Sequence, residues 1–370
     1  MPLTEDQVLD ALRPVEDPLI HRSVVELGLV RRLRVDGRSL EVEVALVAPE
    51  AAPALEGRVR AALADLADLA GAAVSHVELT PMTDPERDEL ARGLEAERST
   101  PIPFAAPGSR TRVLLVASGK GGVGKSSITV NLAVALSRRG RRVCVVDADV
   151  WGFSIPAMLG ITRSPTVLGN RLVLPPEAHG VACASIGFFV REDQPVVWRG
   201  PMLHKALEQF LTDFWWGEPD YLVVDLPPGT GDISLSLASF LPRSEAYVVT
   251  TPQPAAQRVA QRAGLMFQSE QIGIDVRGVI ENMSWFTGDD GTRYELFGAG
   301  GGQALAERLD VPLLGQVPFV AELREGGDAG RPITVTDSDG EVARTFAGIA
   351  GRIDEELAPT RRDHPGLRVV

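Results

Sequence analysis

The pattern of hydrophobic and polar positions changes character twice along this chain and divides it into three main stretches. From residue 1 to 90, helix and strand periods occur in short units. Thr4 and Gln7 stand three apart ahead of Val8, Ala11 and Leu12, the spacing of a capping box that opens an amphipathic helix. Asp36-Gly37 divides two strand-like runs, Leu29 to Val35 and Leu40 to Val47. In the second, Leu40, Val42, Val44 and Leu46 alternate with more polar neighbours, which predicts one buried face. A helix from near Gly57 to Leu69 and a strand from Ala73 to Leu79 complete a small α+β unit.

Residues 91–110 are charged and then rich in proline, with little periodicity, the composition of a semi-rigid linker. Residues 111–355 then read strand, glycine loop, helix, strand. Arg112 to Ala117 is a short apolar run, Ser126 to Arg138 has a helical period, and Arg142 to Val146 is apolar again. Tyr221 to Val224 and Ala246 to Thr250 follow as further apolar runs. Strands hydrophobic on both faces and separated by helices predict an α/β fold, a mostly parallel sheet with helices on both faces. Such sheets bind ligands beyond the carboxyl ends of their strands. Residues 356–370, broken by Pro359 and Pro365, are expected to form a C-terminal tail without the period of a membrane-targeting helix.

Composition narrows the function. With 370 residues, the chain suits two domains at about 150 residues each, one large and one small. The formal charge of −13 argues against nonspecific binding to nucleic acid or to an anionic membrane, since both need a basic field. No apolar run approaches the roughly 18 residues of a membrane span. Met1-Pro2-Leu3-Thr4-Glu5-Asp6 lacks the basic and apolar regions of a signal peptide, so a soluble, cytoplasmic protein is expected. Two cysteines, Cys144 and Cys183, exclude a disulfide framework and any all-cysteine metal site within one chain. The histidines at 21, 76, 179, 204 and 364 show no ligand spacing.

The chemistry concentrates at Gly119-Lys120-Gly121-Gly122-Val123-Gly124-Lys125-Ser126, a complete P-loop between a predicted strand and a predicted helix. Its glycines let backbone N–H groups converge on phosphate oxygens, and the helix N-terminus adds its positive end. Lys125 is expected to reach the β- and γ-phosphates of ATP, and the Ser126 hydroxyl to ligate Mg²⁺. Lys120, directly after the first glycine, marks the deviant Walker A class. There the lysine crosses a dimer interface to the partner's nucleotide and neutralises charge developing in the transition state. Carboxylates stand at two further strand ends. Asp225, after Leu222-Val223-Val224, is read as the Walker B ligand of Mg²⁺. Asp149 is assigned to orient the attacking water, and Asp147 to support the metal site. Gly229 and Gly231 allow the loop after Asp225 to move when the γ-phosphate leaves.

With these residues in view, the sequence resembles the Mrp/ApbC family of deviant P-loop ATPases, carriers of iron–sulfur clusters with a SIMIBI or MinD-like fold. The resemblance rests on Ala117 to Ser127, Asp147 to Pro156, Trp198-Arg199-Gly200-Pro201-Met202, Asp225 to Asp232, Glu281-Asn282-Met283-Ser284 and Phe297 to Gly302. Residues 1–90 are similar to the small iron–sulfur-assembly domain often fused ahead of such ATPases, through Asp17-Pro18 and Leu27-Gly28-Leu29-Val30. The resemblance implies a homodimer, binding of ATP with Mg²⁺, slow hydrolysis, and transfer of a [4Fe-4S] cluster to apoprotein clients or assembly factors. It also implies that Asn282 reads the adenine, with Gln316-Val317-Pro318 closing over the base, and that Ser127 belongs to the nucleotide site.

One departure from that family stands out. Cluster-holding members place Cys-x-x-Cys shortly after the Asn-Met-Ser segment, whereas here Trp285-Phe286-Thr287-Gly288-Asp289-Asp290-Gly291-Thr292-Arg293-Tyr294 contains no cysteine. Aspartates are poor replacements for thiolates on soft iron. Cys144 and Cys183 fall in apolar, strand-like runs, where a cysteine acts as a small hydrophobe. The usual Fe–S ligands are therefore missing. Three readings follow: an Mrp-type carrier that handles clusters unusually or through a partner, a cluster-free ATP-dependent dimerisation switch that binds a client, and a partitioning or membrane-positioning relative. The acidic balance and the form of the tail place the third last.

Overall fold

The computed structural model describes residues 3–36, 39–70, 73–98, 102–106, 108–169, 172–190, 200–229, 231–357 and 359. Gly37, Trp198, Arg199, Thr230 and the tail from 360 onward lie outside the described residues. The chain divides into two compact units, residues 1–98 with 165–175, and residues 99–164 with 176–370.

In the first unit, α1 (Glu5–Leu12) opens with the expected capping box between Thr4 and Gln7, and buries Val8 and Leu12. Three strands follow, β1 (Val30–Asp36), β2 (Ser39–Leu46) and β3 (Ala73–Pro81), with β2 in the centre, antiparallel to β1 and parallel to β3. Leu40, Val42, Val44 and Leu46 are all buried, as their alternation requires. Helix α2 (Ala52–Ala70) packs on β3 and starts five residues before Gly57, because Leu55 and Val59 already belong to its buried face.

Two boundaries differ from the sequence reading. Residues 91–96 are not linker but the end of α3 (Asp84–Ala96), a helix whose only buried positions are Ala91 and Leu94. So thin an apolar stripe reads as charged linker, although the Thr83 N–H donates to the Glu86 carboxylate at the helix start, a cap that Thr-x-x-Glu encodes. Within the rest of the expected linker, Phe104 is buried against Trp216, with ring centroids 6.2 Å apart. Further on, the hairpin of β6 (Thr166–Leu168) and β7 (Leu172–Leu174) groups with the first unit, although it lies within residues 111–355. The Thr166 hydroxyl donates to Glu50 at 2.6 Å, and Gly169, at φ +61, approaches Ala91 of α3.

The second unit is an eight-stranded sheet in the order β15-β12-β11-β4-β10-β5-β9-β8. Along the chain it contains β4 (Arg112–Ser118), α4 (Lys125–Arg138), β5 (Val143–Asp147), α5 (Ile155–Met158), β8 (Glu177–Ala178), β9 (Val181–Ser185), α6 (Gly200–Thr212), β10 (Tyr221–Asp225) and α7 (Asp232–Phe240). There follow β11 (Glu245–Thr250), α8 (Pro254–Gln268), β12 (Asp275–Asn282), a hairpin of β13 (Phe286–Thr287) and β14 (Arg293–Tyr294), α9 (Gly301–Leu309), β15 (Leu313–Val317), α10 (Ala321–Asp328), α11 (Ile333–Thr336) and α12 (Glu341–Gly351). Seven strands run parallel, and the short β8 closes one edge antiparallel to β9.

Every residue of β5, β10 and β11 is buried, so both faces of the sheet are covered, as continuous apolar runs demand. One face, including Leu114, Val116, Val145 and Val223, packs with α4 and with Phe346 and Ile349 of α12 in a single cluster. Register then sets the functional end. Asp225 is level with Val116 of β4 and with Asp147 of β5, so the P-loop and both carboxylate loops leave the sheet from one edge. Among the described residues, no helix is long and apolar enough to cross a membrane.

Leu114 is fully buried in β4, directly before the P-loop. Leu114→Ala should lower unfolding free energy by about 2–5 kcal/mol, measured by urea denaturation.

Candidate nucleotide-binding site

The P-loop connects β4 to α4, and its conformation depends on where side chains are missing. Gly124 caps α4 at φ +81, and a Cβ there would lie 2.2 Å from Asn282 Nδ2. A Cβ on Gly119 would lie 2.2 Å from the backbone nitrogen of Ala260 in α8, so that helix seats directly on the loop. Gly121 and Gly122 complete the turn, and Val123 anchors it in the core. The first-turn N–H groups of α4 are left for an anion, as at any helix start.

Beneath the loop, three donors from α4 converge on one carboxylate. Lys125 is 6% exposed and Asp225 is completely buried, with Lys125 Nζ 2.5 Å from Asp225 Oδ2. Ser126 Oγ donates to the same oxygen at 2.7 Å, and Thr129 Oγ1 donates to Asp225 Oδ1. The backbone around Asp225 is equally fixed. Its carbonyl accepts from the Ala148 N–H, while Leu226 and Gly229 donate to the carbonyls of Val116 and Ser118 in β4. Gly229 sits at φ +96, a conformation that favours glycine.

Asp147 faces the neighbouring loop. Its Oδ2 accepts from Ser154 N at 3.1 Å, Ile155 N at 3.3 Å and Ser185 Oγ at 3.1 Å, and its Oδ1 from Asp149 N at 3.3 Å. Both oxygens are thus taken up by the segment 149–155 and the end of β9. Burial, reinforced by the charge of Asp225, pushes its carboxyl up to about 7. Asp149 is half-buried, accepts from Gly152 N at 3.1 Å, and is also raised, mainly by burial. Lys120 is exposed, and among the described residues no partner is recorded for its ammonium.

At the far side of the loop, Asn282 Nδ2 donates to the Val123 carbonyl at 2.9 Å, while its Oδ1 is buried with no hydrogen-bond partner. Pro318 is buried, and Val317 accepts from Ser284 N at 3.0 Å. Gln316 is engaged elsewhere, donating to the buried Glu281 at 2.7 Å. Ser127 contributes its carbonyl to Asn131 Nδ2. The structure therefore gathers Lys125, Ser126 and Asp225 into one cluster, with Asp147 and Asp149 on the adjoining loop.

Two contacts at this site come from residues outside the sequence reading, Thr129 and Ser185. Thr129 lies three residues after Ser126 on a helix, a spacing that already sets both hydroxyls on one face. Ser185 had no local signal, because only the parallel pairing of β9 with β5 brings it level with Asp147.

The donor set suits Mg²⁺, a hard cation that takes one or two protein oxygens and leaves its other positions to phosphate and water. It does not suit an iron–sulfur cluster. Among the described residues no group of three or more His, Cys, Asp or Glu side chains is placed to hold a metal. Cys144 and Cys183 are buried and free, and burial pushes both thiols up. In the hairpin without cysteines, Asp290 accepts from Thr292 N at 2.9 Å and from Thr292 Oγ1 at 2.8 Å, bonds that hold its carboxyl below the usual range.

Residues 109–354 match the family described as NUBPL iron-transfer P-loop NTPase, and residues 5–78 match that described as iron-sulfur cluster assembly protein. The chain belongs to the NUBPL iron-transfer P-loop NTPase family. It is 47% identical over 352 residues to an iron-sulfur cluster carrier protein of Mycobacterium leprae, covering 93% of this chain and 91% of that one. A protein of the same name from Bacillus subtilis is 38% identical, covering 96% and 99% of the two chains. Among solved structures, a nucleotide-binding protein in complex with ADP from Archaeoglobus fulgidus is similar, with a TM-score of 0.55 and 31% identity over 71% of this chain and 97% of that one. The family thus agrees with the P-loop geometry, and the ADP complex is a relative's own property.

The raised Asp147 has a pH consequence. Its folded carboxyl is raised from 3.8 to about 7, so its contribution to the nucleotide-free fold is full below 3.8 and is lost progressively as pH rises from there to about 7. Asp225→Asn removes the second of the two causes. The midpoint followed by carboxyl-carbon NMR should fall but stay above 3.8, because burial remains.

Proposed function

We propose that this chain is an ATP-hydrolysing iron–sulfur cluster carrier that works as a homodimer in the cytoplasm. The observation that supports the reading best is the convergence of Lys125 and Ser126 on Asp225 below a complete P-loop, in a chain of the iron-transfer family. ATP lies with its phosphates against the backbone of Gly119, Lys120, Gly121, Gly122, Val123 and Gly124, and Lys125 turns from Asp225 to the β- and γ-phosphates. Ser126 and Asp225 hold Mg²⁺, with Asp147 supporting the site by fixing the 149–155 loop. When bound, the metal neutralises charge on the β- and γ-phosphate oxygens.

Asp149 orients the water whose oxygen bonds to the γ-phosphorus as the bond to the ADP oxygen breaks, and the water proton leaves with inorganic phosphate. Lys120, exposed beside the loop, reaches the nucleotide of the partner subunit. The unpartnered Asn282 Oδ1 accepts from the adenine amino group, Pro318 closes over the base, and Ser127 completes the site. Lys125→Ala should lower nucleotide binding or hydrolysis by about 10²-fold or more, and Lys120→Ala should lose hydrolysis by a similar factor while keeping binding. A Lys120→Ala protein with wild-type turnover would remove the cross-dimer role; phosphate release and fluorescent-nucleotide titration measure the two effects.

The cargo is a [4Fe-4S] cluster passed to apoprotein clients or assembly factors, and neither nucleic acid nor membrane is a partner. Since the 286–294 hairpin is closed by Asp290 and both thiols are buried, the cluster is not gripped by this chain's cysteines, and the partner supplies ligands. The same hairpin favours a second reading, a cluster-free ATP-dependent dimerisation switch acting on a client. Anaerobic reconstitution with iron and sulfide, followed by visible absorption and iron counting, separates them. The carrier reading expects iron to be retained only with a client or assembly factor present. Iron absent under both conditions leaves the switch.

A further inference from the structure

We infer that Thr129 is a positioning residue, which fixes the plane of the Asp225 carboxylate so that the oxygen opposite its hydroxyl faces the magnesium position. The inference rests on the proposed binding of Mg²⁺ with nucleotide and adds a residue to that site. Asp225 ends β10 and is completely buried, and among the described residues Lys125, Ser126 and Thr129 donate to its two oxygens. They are served unequally. Oδ2 receives Lys125 and Ser126, the two groups at the nucleotide side, whereas Oδ1 receives Thr129 Oγ1.

The last torsion of an aspartate is broad, so the backbone alone does not fix the plane of the carboxylate. A donor held behind one oxygen does fix it. Thr129 is suited to this, being completely buried and one helical turn beyond Lys125 and Ser126. Its β-branched side chain is stiff. Its single hydroxyl proton has two acceptors within reach, Asp225 Oδ1 and the Lys125 carbonyl at 3.0 Å. A bond to the carboxylate is charge-assisted and the stronger of the two.

When Lys125 and Ser126 turn toward a nucleotide, Oδ2 gives up both donors while Oδ1 keeps its own. The carboxylate therefore stays aimed through the change of partners. Without the Thr129 hydroxyl, Oδ1 competes with Oδ2 for the donors at the loop, and the metal meets a carboxylate free to rotate.

The test compares Thr129→Val, which keeps the branched shape and removes the hydroxyl, with Thr129→Ser, which keeps the hydroxyl. Affinity for a fluorescent ADP analogue is measured for each protein with excess Mg²⁺ and with a chelator. The gain in affinity that Mg²⁺ brings should fall by about tenfold in Thr129→Val, a loss of one charge-assisted bond. Thr129→Ser should retain the gain to within about threefold, and chelator affinities should agree to within about twofold, since this hydroxyl touches no nucleotide. A Thr129→Val protein with the wild-type gain overturns the inference. So does an equal loss of affinity with and without Mg²⁺, which would make Thr129 a structural residue of α4. Wild-type protein that binds no nucleotide, or gains nothing from Mg²⁺, overturns the nucleotide reading itself. Circular dichroism and a melting curve for each variant distinguish either outcome from misfolding.

Discussion

The nucleotide end of this sheet depends on one buried charge having enough donors. An ionised carboxylate removed from water costs several kcal/mol unless it is paired and hydrogen-bonded on every side. Asp225 is in that position, and its side-chain donors among the described residues, Lys125, Ser126 and Thr129, all come from the first five residues of α4. The requirement works in both directions. It draws the start of α4 down onto the end of β10, and it leaves the loop between β4 and α4 arched over the pair. Glycine at 119 lets α8 lie against the base of that arch, and glycine at 124 makes room for Asn282. The P-loop owes its shape as much to what is buried below it as to its own glycines.

The parallel register carries the same logic sideways. Because β10 pairs with β5 residue for residue, Asp225 and Asp147 stand level in one dry region. Two carboxylates so placed cannot both be ionised at no cost, and burial beside the charge of Asp225 raises the Asp147 carboxyl. Asp147 meets that cost through donors from the 149–155 loop and Ser185. The segment after β5 is thereby pinned to the end of the sheet that carries Asp225 and the P-loop. Electrostatics between two strands thus becomes a constraint on a loop.

Much of this was legible in the residue order, for identifiable reasons. Glycine spacing, the apolar strands and the carboxylates at their ends all report local requirements, and the folded chain brings Lys125, Ser126 and Asp225 into contact. Alternation in β2 and the cap at Thr4 are likewise local. What stayed hidden was set by pairing or by weak burial. Ser185 acquires its partner from the order of strands in the sheet. Helix α3 buries too little to leave a hydrophobic stripe, so its charges look like linker. The β6–β7 hairpin groups with the first unit through Thr166 and Gly169, contacts that only the folded chain brings together. Asn282 was assigned to adenine from the resemblance, and the folded chain adds that one of its two polar atoms is already committed to Val123.

The two cysteines bring one further consequence. Cys144 is level with Ala182 on the neighbouring strand, and Cys183 with Val145, so the offset of one residue turns the two sulfurs to opposite faces of the sheet. They cannot bridge to each other, and each is covered by close-packed core with its thiol kept protonated. Peroxide, disulfides and alkylating reagents act on thiolates they can reach. This chain offers them none in the folded state, so its two thiols are insulated from the redox poise of their surroundings. Oxidative sensitivity in any assembly it joins would have to enter through the other components.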